Sequence, residues 1–402
     1  LFASAQTAQP FQNIFIGLQA NEPWTPIIDS TQQRGLELPG PQASPVGPGF
    51  AALSPGHGAQ DMVSPIYLAP IIAEAAHHHV DLHALFRGLD IEASDLDVPG
   101  TMISHGDAIK VVRRALQRRP IAELGIALGQ RATVTERGAL ALGLLAAATL
   151  SDAIGLALRF PRSAGYLLKV QGASSDGLHQ FIVEPFPGDY DLQRFLVDLT
   201  FSASVHLRRQ VTMAEYSPTV VELVSERPAN AADHEAFYGC PVRFGCLKNI
   251  LSVQASWDTF PLPWANVMAS RLSLQLLEQE SARLNSMPAV GFAVERAIRR
   301  RLPEVADLAQ VAESLHLSER TLRRRLSDIG LSYRHLLDES RKSRALELMT
   351  GGQRPLGEVA LACGFSDIRA FARAFKRWTG HPPSLIHGFV VGSRHDSALD
   401  RG

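Results

Sequence analysis

The sequence predicts two folded units of different class. Residues 63–262 form an α/β or α+β unit, and residues 290–388 an all-α unit with two helix-turn-helix motifs joined by a linker helix. Three observations predict this. At 402 residues the chain exceeds the roughly 150 usual for one compact domain. Between residues 66 and 260, helical three-and-four spacing of apolar residues is interspersed with short β-type runs. Beyond residue 290 the pattern is helical throughout, with capping residues and an internal repeat.

Composition narrows the class. Hydrophobic residues at 46% and charged residues at 20% are those of an ordinary globular protein, which excludes wholesale disorder. The most apolar run, Ala139 to Leu150, is too short to span a bilayer, so an integral membrane protein is excluded and no membrane partner is expected. Three cysteines, Cys240, Cys246 and Cys363, cannot form a disulfide framework, and the segment Leu1 to Pro10 lacks the features of a secretory signal. The expected location is the cytoplasm. The net charge is −1, yet residues 295–380 hold seventeen Lys and Arg against eleven Asp and Glu. A nearly neutral chain with one basic third points to a local polyanion site.

Along the chain, residues 1–62 are dense in Pro and Gly and are expected to be a disordered tail, with the natural product beginning at or near Met62. From Ile66 to about Ala147 the spacing predicts helices, with Leu68, Ile71, Ile72 and Ala75 on one face and later Ile109, Val112 and Leu116. Ala139 to Leu158 continues as helix. The texture then changes to strands at Gly165–Val170, at Gln180–Pro185 after the turn signal Ser174-Ser175-Asp176-Gly177, and at Val220–Val224, with a helix at Leu192–Arg209 between the last two. Pro261 and Pro263 close the unit. Residues 263–289 are a connecting helix and linker. In the helix Ala265–Leu284, Val267, Met268, Leu272 and Leu276 form a stripe, with Leu277 as a further candidate member. It either packs on its own domain or serves as an interface for a second subunit. Residues 389–402 are a terminal tail.

The all-α unit is the informative part. Asp307 and Gln310 make a capping-box start for a helix whose buried face is Leu308, Val311, Ala312 and Leu315. Ser318 caps a second helix, buried through Leu322 and Leu326 and closed by Gly330. Only His316 and Leu317 separate the two, which forces a sharp crossing. Shifted by 48 positions, Leu308, Val311, Ala312 and Leu317 become Leu356, Val359, Ala360 and Phe365; shifted by 49, Leu322 and Leu326 become Phe371 and Phe375. The second copy has one extra turn residue, so either Ser366 or Asp367 caps its second helix, and Gly380 and Pro382 end it.

The outer faces carry the chemistry. With Leu322 and Leu326 buried, Arg320, Arg323 and Arg324 must point away from the core. The second copy offers Arg369, Arg373, Lys376 and Arg377 around Phe371 and Phe375. A helix inserted in the major groove presents such side chains to base edges, where Arg pairs with guanine N7 and O6. Lys376 and guanidinium groups nearer the groove wall neutralise phosphates. Ser318 and Arg377 are counted with this DNA-facing set. One arginine-rich helix is readily a solvated face; two copies with charge on equivalent faces are not.

The stretch Ala360, Cys363-Gly364-Phe365-Ser366-Asp367, Phe371, Arg373, Phe375-Lys376-Arg377, Gly380 and Pro383 resembles the second-motif signature of the AraC/XylS family of bacterial transcription regulators. The resemblance covers residues 290–383, including a first helix at Val290–Leu302 and the linker helix Tyr333–Met349. It implies that both recognition helices enter successive major-groove segments of double-stranded promoter DNA. Arg320, Arg323 and Arg324 in one motif, and Arg369 and Arg373 in the other, would then face the groove. Two departures stand out: His316 where the first turn often has Gly, and Ile386-His387 where an aromatic-Arg pair is common. More weakly, residues 66–260, with Phe237 to Phe244 and its Gly239-Cys240-Pro241-Val242-Arg243, resemble the arabinose-binding-type sensor domain of the subgroup that includes ornithine regulators. That implies sensing of a small-molecule effector and a homodimer. Family resemblance also implies activation and contact with RNA polymerase; pocket residues are not assigned.

Other chemistry is set aside. His77-His78-His79 are consecutive on a helix and cannot converge on one metal ion, so they are expected to be exposed. Cys240-Pro241-Val242-Arg243 lacks the order found in alkyl-transfer repair proteins that share this DNA-binding domain. No nucleophile elbow, Walker loop or dinucleotide fingerprint occurs, so neither enzymatic activity nor a cofactor is expected. The alternatives are an enzyme tethered to DNA by its C-terminal domain, or a nucleic-acid binder without a sensor.

Overall fold

A computed structural model of the chain describes residues 61–98, 100–117, 124–175, 177–184, 188–304, 307–350 and 354–385. The expected tails up to residue 60 and from residue 389, and the departure at Ile386-His387, lie outside the described residues. Met62, assigned to the tail from sequence, instead starts β1 (Met62–Val63), which pairs antiparallel with β2 (Ile103–Ser104) and is 3% exposed.

Helices come first. In α1 (Leu68–His77) the predicted face of Leu68, Ile71, Ile72 and Ala75 is buried, and His77, His78 and His79 are exposed. Then follow α2 (Leu82–Phe86), α3 (His105–Leu116) and α4 (Gly125–Gly129). The helix expected across Ala139–Leu158 is two, α5 (Gly138–Ala146) and α6 (Leu150–Arg159). The apolar run hides a cap: Thr149 Oγ1 accepts from the Asp152 amide at 3.2 Å, and the Asp152 carboxylate accepts from the Thr149 amide at 3.2 Å.

The strand expected at Gly165–Val170 starts only at Val170. Residues 161–165 are turns, with Gly165 at φ 75°, and Tyr166, Leu167 and Leu168 run buried as irregular chain. The sheet comprises β3 (Val170–Ser175), β4 (Leu178–Val183), β5 (Val220–Glu222), β6 (Val242–Arg243) and β7 (Asn249–Gln254), in the order β3-β4-β7-β5-β6. Every pairing is antiparallel except β5 with β6. Between β4 and β5 runs α7 (Tyr190–Thr212), capped by Asp189 and buried along most of its length. It lies so close to α4 that a Cβ on Gly129 would sit 1.9 Å from Ser202 Oγ, so only glycine fits there. A further helix, α8 (Ala231–Tyr238), was not anticipated from sequence.

The connecting helix α9 (Val267–Ser286) packs on its own domain, but through an unexpected face. Ser273 and Leu277 are fully buried; Ser273 Oγ donates to the Ala139 carbonyl on α5 at 2.7 Å. Val267, Met268, Leu272 and Leu276 are 67%, 72%, 50% and 40% exposed, so the predicted stripe faces outward.

The remaining helices are α10 (Ala289–Arg301), α11 (Leu308–Ser314), α12 (Glu319–Asp328), α13 (Tyr333–Thr350), α14 (Leu356–Ala362) and α15 (Ile368–Thr379). They build two small cores. One gathers Phe292, Val294, Val311, Leu322, Leu326 and Leu336, and the other Ala345, Met349, Val359, Phe371 and Phe375, with α13 contributing to both.

Candidate nucleic-acid interface

The two helix-turn-helix motifs share one backbone. In the first, the amide of Leu317 donates to Ala312 O at 2.8 Å and that of His316 to Glu313 O at 2.9 Å. In the second, Phe365 donates to Ala360 O at 3.0 Å and Gly364 to Leu361 O at 2.8 Å. His316 at φ 56° and Gly364 at φ 75° occupy the same left-handed position, so the first departure from the family pattern puts a side chain where the turn favours glycine. The caps also correspond: Ser318 Oγ accepts from the Thr321 amide at 3.2 Å, and Asp367 Oδ1 from the Ala370 amide at 2.8 Å. Asp367 rather than Ser366 is therefore the cap, and the extra residue lies between Phe365 and it.

Beneath the caps, Leu322 and Leu326 on α12 and Phe371 and Phe375 on α15 are buried to within 2%. Helical geometry then turns the cations outward. Arg320, Arg323 and Arg324, together with Arg325, are exposed on α12, and Arg369, Arg373, Lys376 and Arg377 on α15. They are not equally free. Arg323 is paired with Glu319 one turn back, and Arg377 reaches Asp338 on α13 at 3.1 Å. Arg320, Arg324, Arg369, Arg373 and Lys376 enter no ion pair among the described residues. The Ser318 hydroxyl is engaged by its cap and by Thr321 Oγ1 at 2.8 Å.

Two residues missed from sequence join this surface. Arg334 and Arg341 of α13 line a groove with Arg373 and Arg377 of α15. Residues 334, 338 and 341 stand at helical spacing on one face of α13, the signal that would have found them. Arg341 also braces the second turn: its Nη2 donates to Gly364 O at 2.9 Å and its guanidinium lies 4.6 Å from the Phe365 ring centroid. The cysteines have no such openness. Burial pushes the Cys363 thiol up to about 12 and the Cys240 thiol up to about 11, the reverse of a nucleophile's environment.

A sheet-bearing domain joined to a duplicated helix-turn-helix unit with outward cations defines a DNA-binding transcription regulator with a sensor domain. The family models and curated relatives agree. The arabinose-binding domain of AraC transcription regulators, N-terminal, matches residues 80–262, and a helix-turn-helix domain matches residues 311–386. The ornithine utilization regulator of Pseudomonas aeruginosa is 29% identical over 336 residues, covering 81% of this chain and 96% of that protein. An uncharacterized HTH-type transcriptional regulator of Mycobacterium tuberculosis is 26% identical over 331 residues, covering 80% and 95%. The crystal structure of the transcriptional regulator CdpR from Pseudomonas aeruginosa is 20% identical and covers 80% of this chain and 98% of that one, with a TM-score of 0.40. With the two domain models together spanning well over half of its length, the chain belongs to the AraC family of transcription regulators. These relatives are regulators rather than enzymes. Among the described residues no helix is long and apolar enough to cross a membrane.

Proposed function

We propose that the protein is a cytoplasmic, effector-responsive activator that binds promoter DNA through both motifs and recruits RNA polymerase. The observation that carries this reading is the equivalence of α12 and α15, each presenting cations opposite a buried apolar pair. Arg320, Arg323 and Arg324 read bases or flank the groove in one segment, and Arg369 and Arg373 in the next; Lys376, Arg377 and the capping end at Ser318 meet phosphates. The exposed stripe of Val267, Met268, Leu272 and Leu276 supports a homodimer formed through α9. The name of the Pseudomonas relative ties that protein to use of a small metabolite, which supports the same logic of control for this chain.

Genome-wide mapping of bound sites followed by footprinting tests the proposal. Protection of two segments about 10 base pairs apart on one face of the duplex is expected. Equal affinity for mapped and random duplexes would reject base readout.

A further inference from the structure

The sensor holds a cavity between α6, α7 and the sheet. It has two lobes, with about 410 Å³ and about 470 Å³ of atom-free space counted out to open solvent, of which about 20 Å³ and about 50 Å³ admit the centre of a water molecule. Leu150, Ile154, Leu158, Phe181 and Arg208 line both, so the lobes adjoin. The walls are chiefly apolar, with Leu251, Val253 and Trp257 closing one side. The lining is of the kind that suits a small organic molecule, and the walls must part to admit one.

Arg208 is the group out of place in such walls. It is 8% exposed, its Nη1 donates to the Ser204 hydroxyl, and its Nε is buried without an acceptor. No carboxylate pairs with it among the described residues. Its guanidinium carbon lies 5.4 Å from the Phe181 ring centroid and 5.8 Å from that of Tyr216, contacts that offset only part of the cost of a buried cation. Asp258, the carboxylate lining the first lobe, is held by His179 at 2.8 Å. A second buried guanidinium, Arg137, stands 5.2 Å from the Tyr67 ring centroid, and Tyr67 lines the other lobe. The cavity is thus an apolar chamber with one guanidinium, Arg208, in the wall its lobes share, and a second, Arg137, against the Tyr67 ring that lines one of them.

We propose that this cavity binds a small organic carboxylate, its carboxylate seated on Arg208 and its apolar body lying against Ile154 and the Leu251–Val253 wall. The inference rests on the sensor reading above and names the chemical class of the effector. The same walls disfavour an ammonium-bearing effector, because no unpaired carboxylate lines either lobe. They disfavour a sugar, because most of the lining offers hydroxyl groups no partner.

The test uses the full chain with hexanoate and phenylacetate as probes, hexanamide and phenylacetamide as neutral matches, and hexylamine as the cation. Calorimetry and thermal shift should show saturable binding of a carboxylate and none of its amide or of the amine. Arg208→Gln should weaken carboxylate binding on the order of 10- to 100-fold, the worth of one charged hydrogen-bonded contact. Ile154→Trp keeps the guanidinium but fills the space, and should abolish binding while the protein still melts cooperatively. Amides binding as tightly as carboxylates, Arg208→Gln binding like the parent, or no saturable carboxylate binding would each overturn the assignment. Should Arg208→Gln fail to fold, the carboxylate-to-amide ratio on the parent chain and Ile154→Trp decide it. DNA affinity measured with and without the bound carboxylate separates the two claims: binding that leaves DNA affinity unchanged ends the sensor reading and leaves the ligand class standing.

Discussion

His316 shows what a single residue costs in this architecture. Its backbone is left-handed at φ 56° where the second motif has Gly364, and L side chains are strained there. His316→Gly should raise stability by about 1 kcal/mol in urea titration, reduced somewhat by the entropy glycine adds to the unfolded chain, and Gly364→Ala should lower it by a similar amount. On the DNA-facing side, Arg373 and Lys376 are both exposed and unpaired but are assigned different work. Arg373→Ala should cost about 1–3 kcal/mol on the preferred duplex and much less on random DNA. Lys376→Ala should weaken all duplexes alike and flatten the slope of log affinity against log salt by about one counterion. Competition binding at several salt concentrations measures both, and an unchanged slope for Lys376→Ala would remove it from the phosphate contacts.

Helix α9 displays a division of labour that its apolar pattern alone does not. One face is committed to α5, where a Cβ on Gly143 would lie 2.4 Å from Ser273 Oγ, so the serine side chain occupies the space that any larger residue at 143 would need. The other face leaves Leu272 and Leu276 half exposed. Leu272→Glu with Leu276→Glu should therefore spare folding and abolish self-association in sedimentation velocity. A dimer that survives both changes places the interface elsewhere. In the linker α13, Arg341 and Asp338 tie the helix to the second motif, through Gly364 O at 2.9 Å and Arg377 at 3.1 Å. The spacer thus orients the second recognition helix as well as separating it from the first.

At the scale of the molecule, the cavity and the DNA-binding unit share a chain of packed elements. Leu144 of α5 lines the larger lobe, its neighbour Gly143 abuts α9, and α9 ends with Leu284 in the core of the first motif. A second joint runs through α10: Arg296 Nη1 donates to Met102 O at 2.9 Å, and Arg300 binds Asp95, which is 5% exposed, and Glu92 at 3.0 Å. Met62 and Met102 themselves belong to the first motif's core. Arg300→Ala strands the buried Asp95 charge and should cost about 1–3 kcal/mol, less than a fully buried pair because Arg300 is partly exposed. Adding Asp95→Asn should restore much of it, and a double-mutant cycle by chemical denaturation measures the coupling. Losses that simply add would mean the two residues do not cooperate.

Short-range patterns determined the DNA-binding unit. Capping residues, apolar spacing and a repeat offset of 48 or 49 positions are local, so both motifs, the linker helix and the outward arginines were legible before any coordinates. Tertiary structure alone decided the rest, because it turns on which distant residues meet. Arg208 reads as one more polar position on a long helix until the sheet folds over it, leaving its Nη1 on Ser204 and its Nε without an acceptor. The runs at Asn249–Gln254 and Val242–Arg243 become strands only by pairing with residues far along the chain. Likewise Ser273 rather than the leucine stripe faces α5, since close packing there admits a small side chain and excludes a large one.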